Sequence, residues 1–306
     1  MAFRTILVPI RGDGQGESVL DHACALGRHF NAHIRAVHCK PRPKDLMPFG
    51  VAVPRLVADQ INASAKDITD DEVVRLKGLF DEYVQKRGIT VCDTRPPAHD
   101  TLTISWSVAD GKQADVIGVQ GRLASVVAVA QPDHDTNLGQ NTLEAAMLNT
   151  GRPVLLCPKR EVATLGDNVA IAWNGSAESA RAVAACGSII AAAKKVTVLS
   201  AEDAENLDLT ADDLIVHLKD HEIEATSMNV TSKGSTLGES LLKAAKDCGA
   251  DVLVMGAYGR SRGRALVYAD RGAGERSAKG AGKTWRRARN GPFNPASGFS
   301  VFVIVC

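Results

Sequence analysis

Paired cysteines, long apolar runs and any large net charge are all missing from this chain of 306 residues. None of the seven cysteines, Cys24, Cys39, Cys92, Cys157, Cys186, Cys248 and Cys306, stands in a Cys-x-x-Cys pair. Metal and redox roles therefore fall away, and the thiols are expected to pack as small buried hydrophobes. No stretch reaches the roughly 18 apolar residues of a membrane span. The opening residues also lack the basic, apolar, small-residue order of a signal peptide. A formal charge of +1 offers no field to a polyanionic partner. These absences point to a soluble, cytoplasmic protein that needs no membrane. The 45% of hydrophobic residues suffices for two cores of ordinary size.

What the chain does have is two beginnings. Thr5 to Ile10 is an apolar run that ends in Asp13-Gly14, and Ala170 to Trp173 is another that ends in Asn174-Gly175-Ser176. After each comes an Ala-rich helical stretch and a second apolar run, Ala32 to Cys39 in one copy and Lys195 to Ala201 in the other. A unit of strand, turn, helix and strand used twice sets the architecture before any single residue is interpreted.

Periodicity extends the pattern. In the first half strands are expected near 4–10, 33–39, either 89–93 or 101–107, 125–130 and 153–157. Helices are expected near 16–30, 58–87, 110–124 and 138–150. Val19, Leu20, Ala23, Leu26, Gly27 and Phe30 recur at helical spacing and coat one face of the first helix. The second half repeats the order, with strands near 168–173, 195–201, 225–231 and 251–256 and helices near 177–193, 210–221 and 235–248. Alternating strands and helices imply parallel sheets covered on both faces. The fold class is therefore α/β, with two tandem doubly wound parallel-sheet domains, five strands being legible in the first half and four in the second. Residues 1–160 form the first, residues 161–266 the second, and residues 267–306 a tail. Lys40 to Pro54 carries Pro41, Pro43, Pro48, Pro54 and Gly50 and reads as a loop.

From Arg260 to Arg289 ten Lys or Arg face two carboxylates, a local charge of +8. Gly, Ala, Arg and Ser dominate there without apolar periodicity, a composition that buries too little to offset chain entropy. The final run, Ser300 to Cys306, is either a substitute strand or an exposed sticky end.

These features resemble a tandem universal stress protein of the UspA-like family. The likeness covers residues 3 to about 266 and is strongest at 168–181 and 250–262, where Val252-Leu-Val-Met-Gly256-Ala-Tyr-Gly259-Arg-Ser261 follows the fourth strand. The resemblance implies an adenine nucleotide alpha hydrolase-like, Rossmann-like fold with an open sheet of five parallel strands in each half, dimer-like pairing of the two halves, and a non-enzymatic role in stress tolerance. Some members bind ATP, through Gly, two residues, Gly, nine residues, then Gly with Ser or Thr. The physics of such a loop is independent of the family: ligands lie outside the carboxyl ends of parallel strands, and glycines let main-chain N–H groups reach phosphate oxygens.

If this chain binds ATP, Asn174, Met255, Gly256, Gly259, Arg260 and Ser261 are the expected contacts, with Asn174 at the ribose and the glycines at the phosphates; the alternatives are a nucleotide-independent interaction scaffold and a weak ATPase on the same fold. The motif is incomplete. Ala269-Asp270 stands where Gly-Ser belongs, and Asn174 stands where ATP-binding members carry Asp. The first half keeps Asp13 but has Gln131-Pro-Asp-His-Asp135 in place of a glycine loop. Past about Leu266 the chain leaves the pattern abruptly, as a shifted reading frame or divergent terminus would, and the second domain is expected to lack its normal last helix.

Other constellations carry less. Ser277 to Thr284 is one residue from a phosphate-binding P-loop but lacks the strand before and the apolar helix after. Asp133-His134-Asp135 reads as an exposed loop, and Trp106 and Trp173 as core or interface fillers. No Ser/His/Asp or Cys/His spacing supports catalysis and no metal is expected. Nucleic acid is not an expected partner, protein partners are unspecified, and the chain is either a monomer with paired halves or a homodimer.

Overall fold

The computed structural model describes residues 3–42, 45, 55–94, 100–132, 139–201, 209–231, 236–256 and 302–305. The first half runs β1 (Thr5–Ile10), α1 (Gly16–Phe30), β2 (His33–Lys40), α2 (Arg55–Arg87), β3 (Thr90–Val91), β4 (Thr103–Asp110), α3 (Gln113–Gln120), β5 (Val126–Ala130), α4 (Gln140–Asn149) and β6 (Val154–Cys157). The second runs β7 (Asn168–Trp173), α5 (Ala177–Ala185), α6 (Gly187–Ala192), β8 (Lys195–Ala201), α7 (Ala211–Asp220), β9 (Ala225–Val230), α8 (Leu237–Asp247), β10 (Val252–Gly256) and finally β11 (Phe302–Val305).

All the strands join one sheet in the order β3-β4-β2-β1-β5-β6-β11-β10-β7-β8-β9. Within each half every pair is parallel, and the seam between halves is the antiparallel pair β6–β11. Stripped of β3, the first half has the same winding as the second: the opening strand lies at the centre and the chain steps to one side before returning to the other. The α/β class with two parallel-sheet halves is therefore as expected. The count of five strands in the first half is corrected to six among the described residues, because Thr90–Val91 and Thr103–Asp110 are both strands, paired in register Thr90 to Thr103. The segments had looked like alternatives because each is short of a full apolar run.

Central strands are buried on both faces, as covered parallel strands must be: Ile6, Leu7 and Val8 of β1 and Val252, Leu253 and Val254 of β10 are wholly inaccessible. Gly27 lets α1 lie close to the sheet, since a Cβ there would come within 2.6 Å of Leu102 Cδ1. The expected helix 177–193 is broken at Cys186, which ends α5 and begins α6 with Gly187 behind it. A glycine inside a helix forfeits propensity, and the buried Cys186 marks the bend.

The two halves also repeat at finer grain. Ser125 Oγ, just before β5, accepts the main-chain N–H groups of Arg4 and Thr5 at 3.0 and 3.2 Å. Asp251, just before β10, does the same for Gly166 and Asp167, both at 3.0 Å, and for Asn168 at 3.3 Å. In each half a side chain at the foot of the fourth core strand fastens the entry to the first.

The run at 300–306 is settled by β11: Phe302 to Val305 pairs parallel with Leu253 to Gly256 and, on its other edge, antiparallel with β6. The last four described residues thus supply the strand that the second half would otherwise lack. The expected missing helix and the basic tail lie outside the described residues, as does most of the Lys40–Pro54 loop.

Candidate functional site

Both opening strands end in the same turn. Asp13 Oδ1 accepts from the Gln15 N–H at 3.1 Å, and Asn174 Oδ1 accepts from the Ser176 N–H at 3.2 Å. The residue between is glycine with positive φ, Gly14 at +77° and Gly175 at +67°, a conformation that costs glycine little. The turn delivers the chain into a helix whose first N–H groups lie at the carboxyl edge of the sheet. In the second half Ser176 caps α5 by accepting from Ser179 N–H at 3.2 Å. Main-chain hydrogen bonding at this helix start, helped by Arg181 at 3.1 Å, holds the Glu178 carboxyl below its usual range.

Three of the expected ligand contacts meet here. Asn174 is exposed at the end of β7, and β10 ends beside it because Met255 pairs in register with Ala172. The Met255 side chain is buried in a core cluster with Val129, Met147 and Leu156, and its main chain is flanked in register by Ala172 and Ile304. Asn174 Oδ1 is also taken by Ser176 Oγ at 2.6 Å, so the amide offers a ligand its Nδ2 donor. Gly256 has a packing reason for being glycine: a Cβ there would stand 2.6 to 2.8 Å from the Glu178 carbonyl and the Ser179 nitrogen. Gly259, Arg260 and Ser261 lie outside the described residues, as do Asp133-His134-Asp135 and the P-loop-like stretch.

At the same edge of the first half, protein fills the gap between the first and fourth core strands. Arg11 pairs with Asp13 at 3.3 Å and donates from its other terminal nitrogen to Thr142 Oγ1 at 3.4 Å, near the start of α4. Gly139, at the N-terminus of that helix with φ +91°, admits the guanidinium: a Cβ would lie 3.0 Å from Arg11. Sequence alone gave no sign of Arg11 in this role, since the contact joins residues 131 positions apart.

A cavity of about 280 Å³ lies between the β1–α1 turn and α2, with Gly14, Leu20, Arg75, Leu79 and Tyr83 in its lining. Below it Asp21, with a side chain only 2% exposed, accepts from Tyr83 Oη at 2.8 Å and forms an ion pair with Arg87 at 2.7 Å. Burial pushes the Asp21 carboxyl up against the opposing pull of Tyr83 and Arg87. Burial likewise raises the neighbouring Cys24 thiol to about 11 and makes it inert at neutral pH. Among the described residues no three His, Cys, Asp or Glu are grouped to hold a metal ion, and no helix is long and apolar enough to cross a membrane.

No protein-family model and no curated protein matches the chain. Among solved structures it is similar to a universal stress protein from Archaeoglobus fulgidus DSM 4304, at 15% identity and a TM-score of 0.59, over 85% of this chain and 88% of that one. Lower similarity links it to the protein PA1789 from Pseudomonas aeruginosa PAO1, at 15% identity and a TM-score of 0.47 over 99% and 92% of the two chains. The universal stress protein UspA from Lactobacillus plantarum follows at 10% identity and a TM-score of 0.37, over 52% of this chain and 99% of that one. These last two carry no weight in the argument. The Archaeoglobus structure, with the shared winding of both halves, places this chain in the universal stress protein fold.

Proposed function

We propose that this protein is a non-enzymatic stress-response protein that takes ATP at the carboxyl edge of its second half. The observation that carries the reading is the asymmetry between the two edges. Arg11 and Asp13 occupy the first, whereas the second presents an exposed Asn174 on a fixed turn, beside the end of β10. In this reading the Asn174 Nδ2 donates to the ribose and the Met255 main chain lies along the nucleotide. Gly256 and Gly259 bring the backbone close to the phosphates, with Arg260 and Ser261 as further donors.

The test is ATP calorimetry on the full chain, since a truncation after residue 266 would remove β11 from the sheet. Saturable binding that is lost in Gly259→Leu and weakened in Asn174→Ala supports the site. Binding unchanged in both variants dismisses it. A nucleotide-independent interaction scaffold is the second reading, favoured by the packing that already accounts for Gly256; a folded chain that ignores ATP selects it. Steady turnover of ATP would instead make the protein a weak ATPase.

A further inference from the structure

We propose that His217 and His221 on α7 form a binding site for a divalent transition-metal ion of the imidazole-preferring kind, such as Ni²⁺, Cu²⁺ or Zn²⁺. The residues are four apart, so they share one face of the helix. Both are exposed, and their rings are 4.8 Å apart between centroids at an interplanar angle of 74°. Two imidazoles bound to adjacent positions of one ion, each with a metal–nitrogen distance near 2.1 Å, put their centroids about 5 Å apart. The pair already stands at that spacing and needs only to turn its ring nitrogens inward.

The backbone beneath them is held. Glu222 takes a left-handed conformation with φ +62°, its N–H donates to Lys219 O at 2.9 Å, and the Ile223 N–H donates to Leu218 O at 3.0 Å. This paired ending satisfies the last carbonyls of α7, and Leu218 is buried beneath it. His221 is the helix C-cap, so both rings project from an ordered last turn. Such preorganisation lowers the cost of ordering two side chains on one ion.

The surroundings favour a cation. The carbonyl end of a helix carries partial negative charge, and within three residues of His221 the chain places Asp220, Glu222 and Glu224 against Lys219 alone. Asp213, one turn earlier, is committed to the capping box with Thr210. No third ligand of the His, Cys, Asp or Glu type is grouped with them among the described residues. Water therefore completes the coordination, and imidazole donors select for later first-row ions over Mg²⁺ or Ca²⁺. This departs from the metal-free expectation drawn from sequence spacing.

The experiment is Ni²⁺ titration by calorimetry on the full, untagged chain, beside His217→Ala, His221→Ala and the double variant. Alanine suits an exposed helical position, so far-ultraviolet circular dichroism should be unchanged and any lost binding is a ligand effect. One ion per chain, with affinity at least tenfold weaker in each single variant and the site absent from the double variant, supports chelation by the pair. Three results would each overturn the proposal: no saturation by 1 mM Ni²⁺ in the parent chain (roughly the weakest affinity worth calling a site), single variants that match the parent, or a site that survives in the double variant.

Discussion

A Cβ built on Gly256 would lie 2.6 Å from the carbonyl carbon of Glu178. The neighbour is main chain at the start of α5, which cannot swing aside as a long side chain would. Gly256→Ala should therefore destabilise the protein by about 1 to 3 kcal/mol through overpacking, and thermal unfolding will read this with no nucleotide present. A variant as stable as the parent would show that α5 can lift from the strand.

Arg11 and Asp13 invite a second experiment. The Asp13 side chain is 6% exposed and its partner 17%, so Arg11→Ala leaves a carboxylate nearly buried without its counter-charge. A loss of about 2 to 4 kcal/mol is expected, with much of it recovered in Arg11→Ala/Asp13→Asn. Strict additivity in that double-mutant cycle, read from urea unfolding, would mean that the pair is not coupled.

Asp21 gives stability a pH dependence of definite sign. Its folded pKa is raised above the ordinary 3.8, burial being the main cause. The folded state then holds the proton more tightly than the unfolded chain, and this group's contribution is full below the ordinary value and lost as pH rises through the folded one. The advantage of the parent over Asp21→Asn should thus shrink between pH 4 (about the unfolded value) and neutrality, as measured by urea midpoints. Asp213 runs the opposite way: hydrogen bonds from Thr210 lower its pKa, so its contribution is lost as pH falls. A parent-to-variant gap that widens with pH would refute the account of Asp21.

Val303 lies between β6 and β10, opposite Leu155 on one side and Val254 on the other. Val303→Pro removes an N–H from the ladder and should open the seam. Lower thermal stability together with new self-association in sedimentation velocity is expected, because the freed strand edges present unpaired main-chain groups. Unchanged stability together with the parent's own sedimentation profile would show that the halves cohere without this strand.

Much of the element list was legible without coordinates. Strands β7 and β8 and helix α1 fall where their apolar spacing put them, because a run buried on both faces or an amphipathic stripe is a local property. The turn at Asn174 was legible for the same reason, as an Asn-Gly pair at the end of an apolar run. The Asp21–Tyr83–Arg87 cluster was not, since α2 meets α1 across more than 60 residues and nothing local marks a buried carboxylate as paired. The reason for Gly256 was hidden too: a glycine in a phosphate-loop pattern and a glycine under a helix are spelled alike.

The repeated unit, its parallel strands and the positions of its turns are therefore properties of the chain's own pattern, since each follows from neighbours within a few residues. The joining of two sheets through Phe302–Val305 and the Arg11 closure of the first edge needed the fold. Strand partners and ion pairs depend on which distant residues share space, and hydrophobic periodicity carries no address for them.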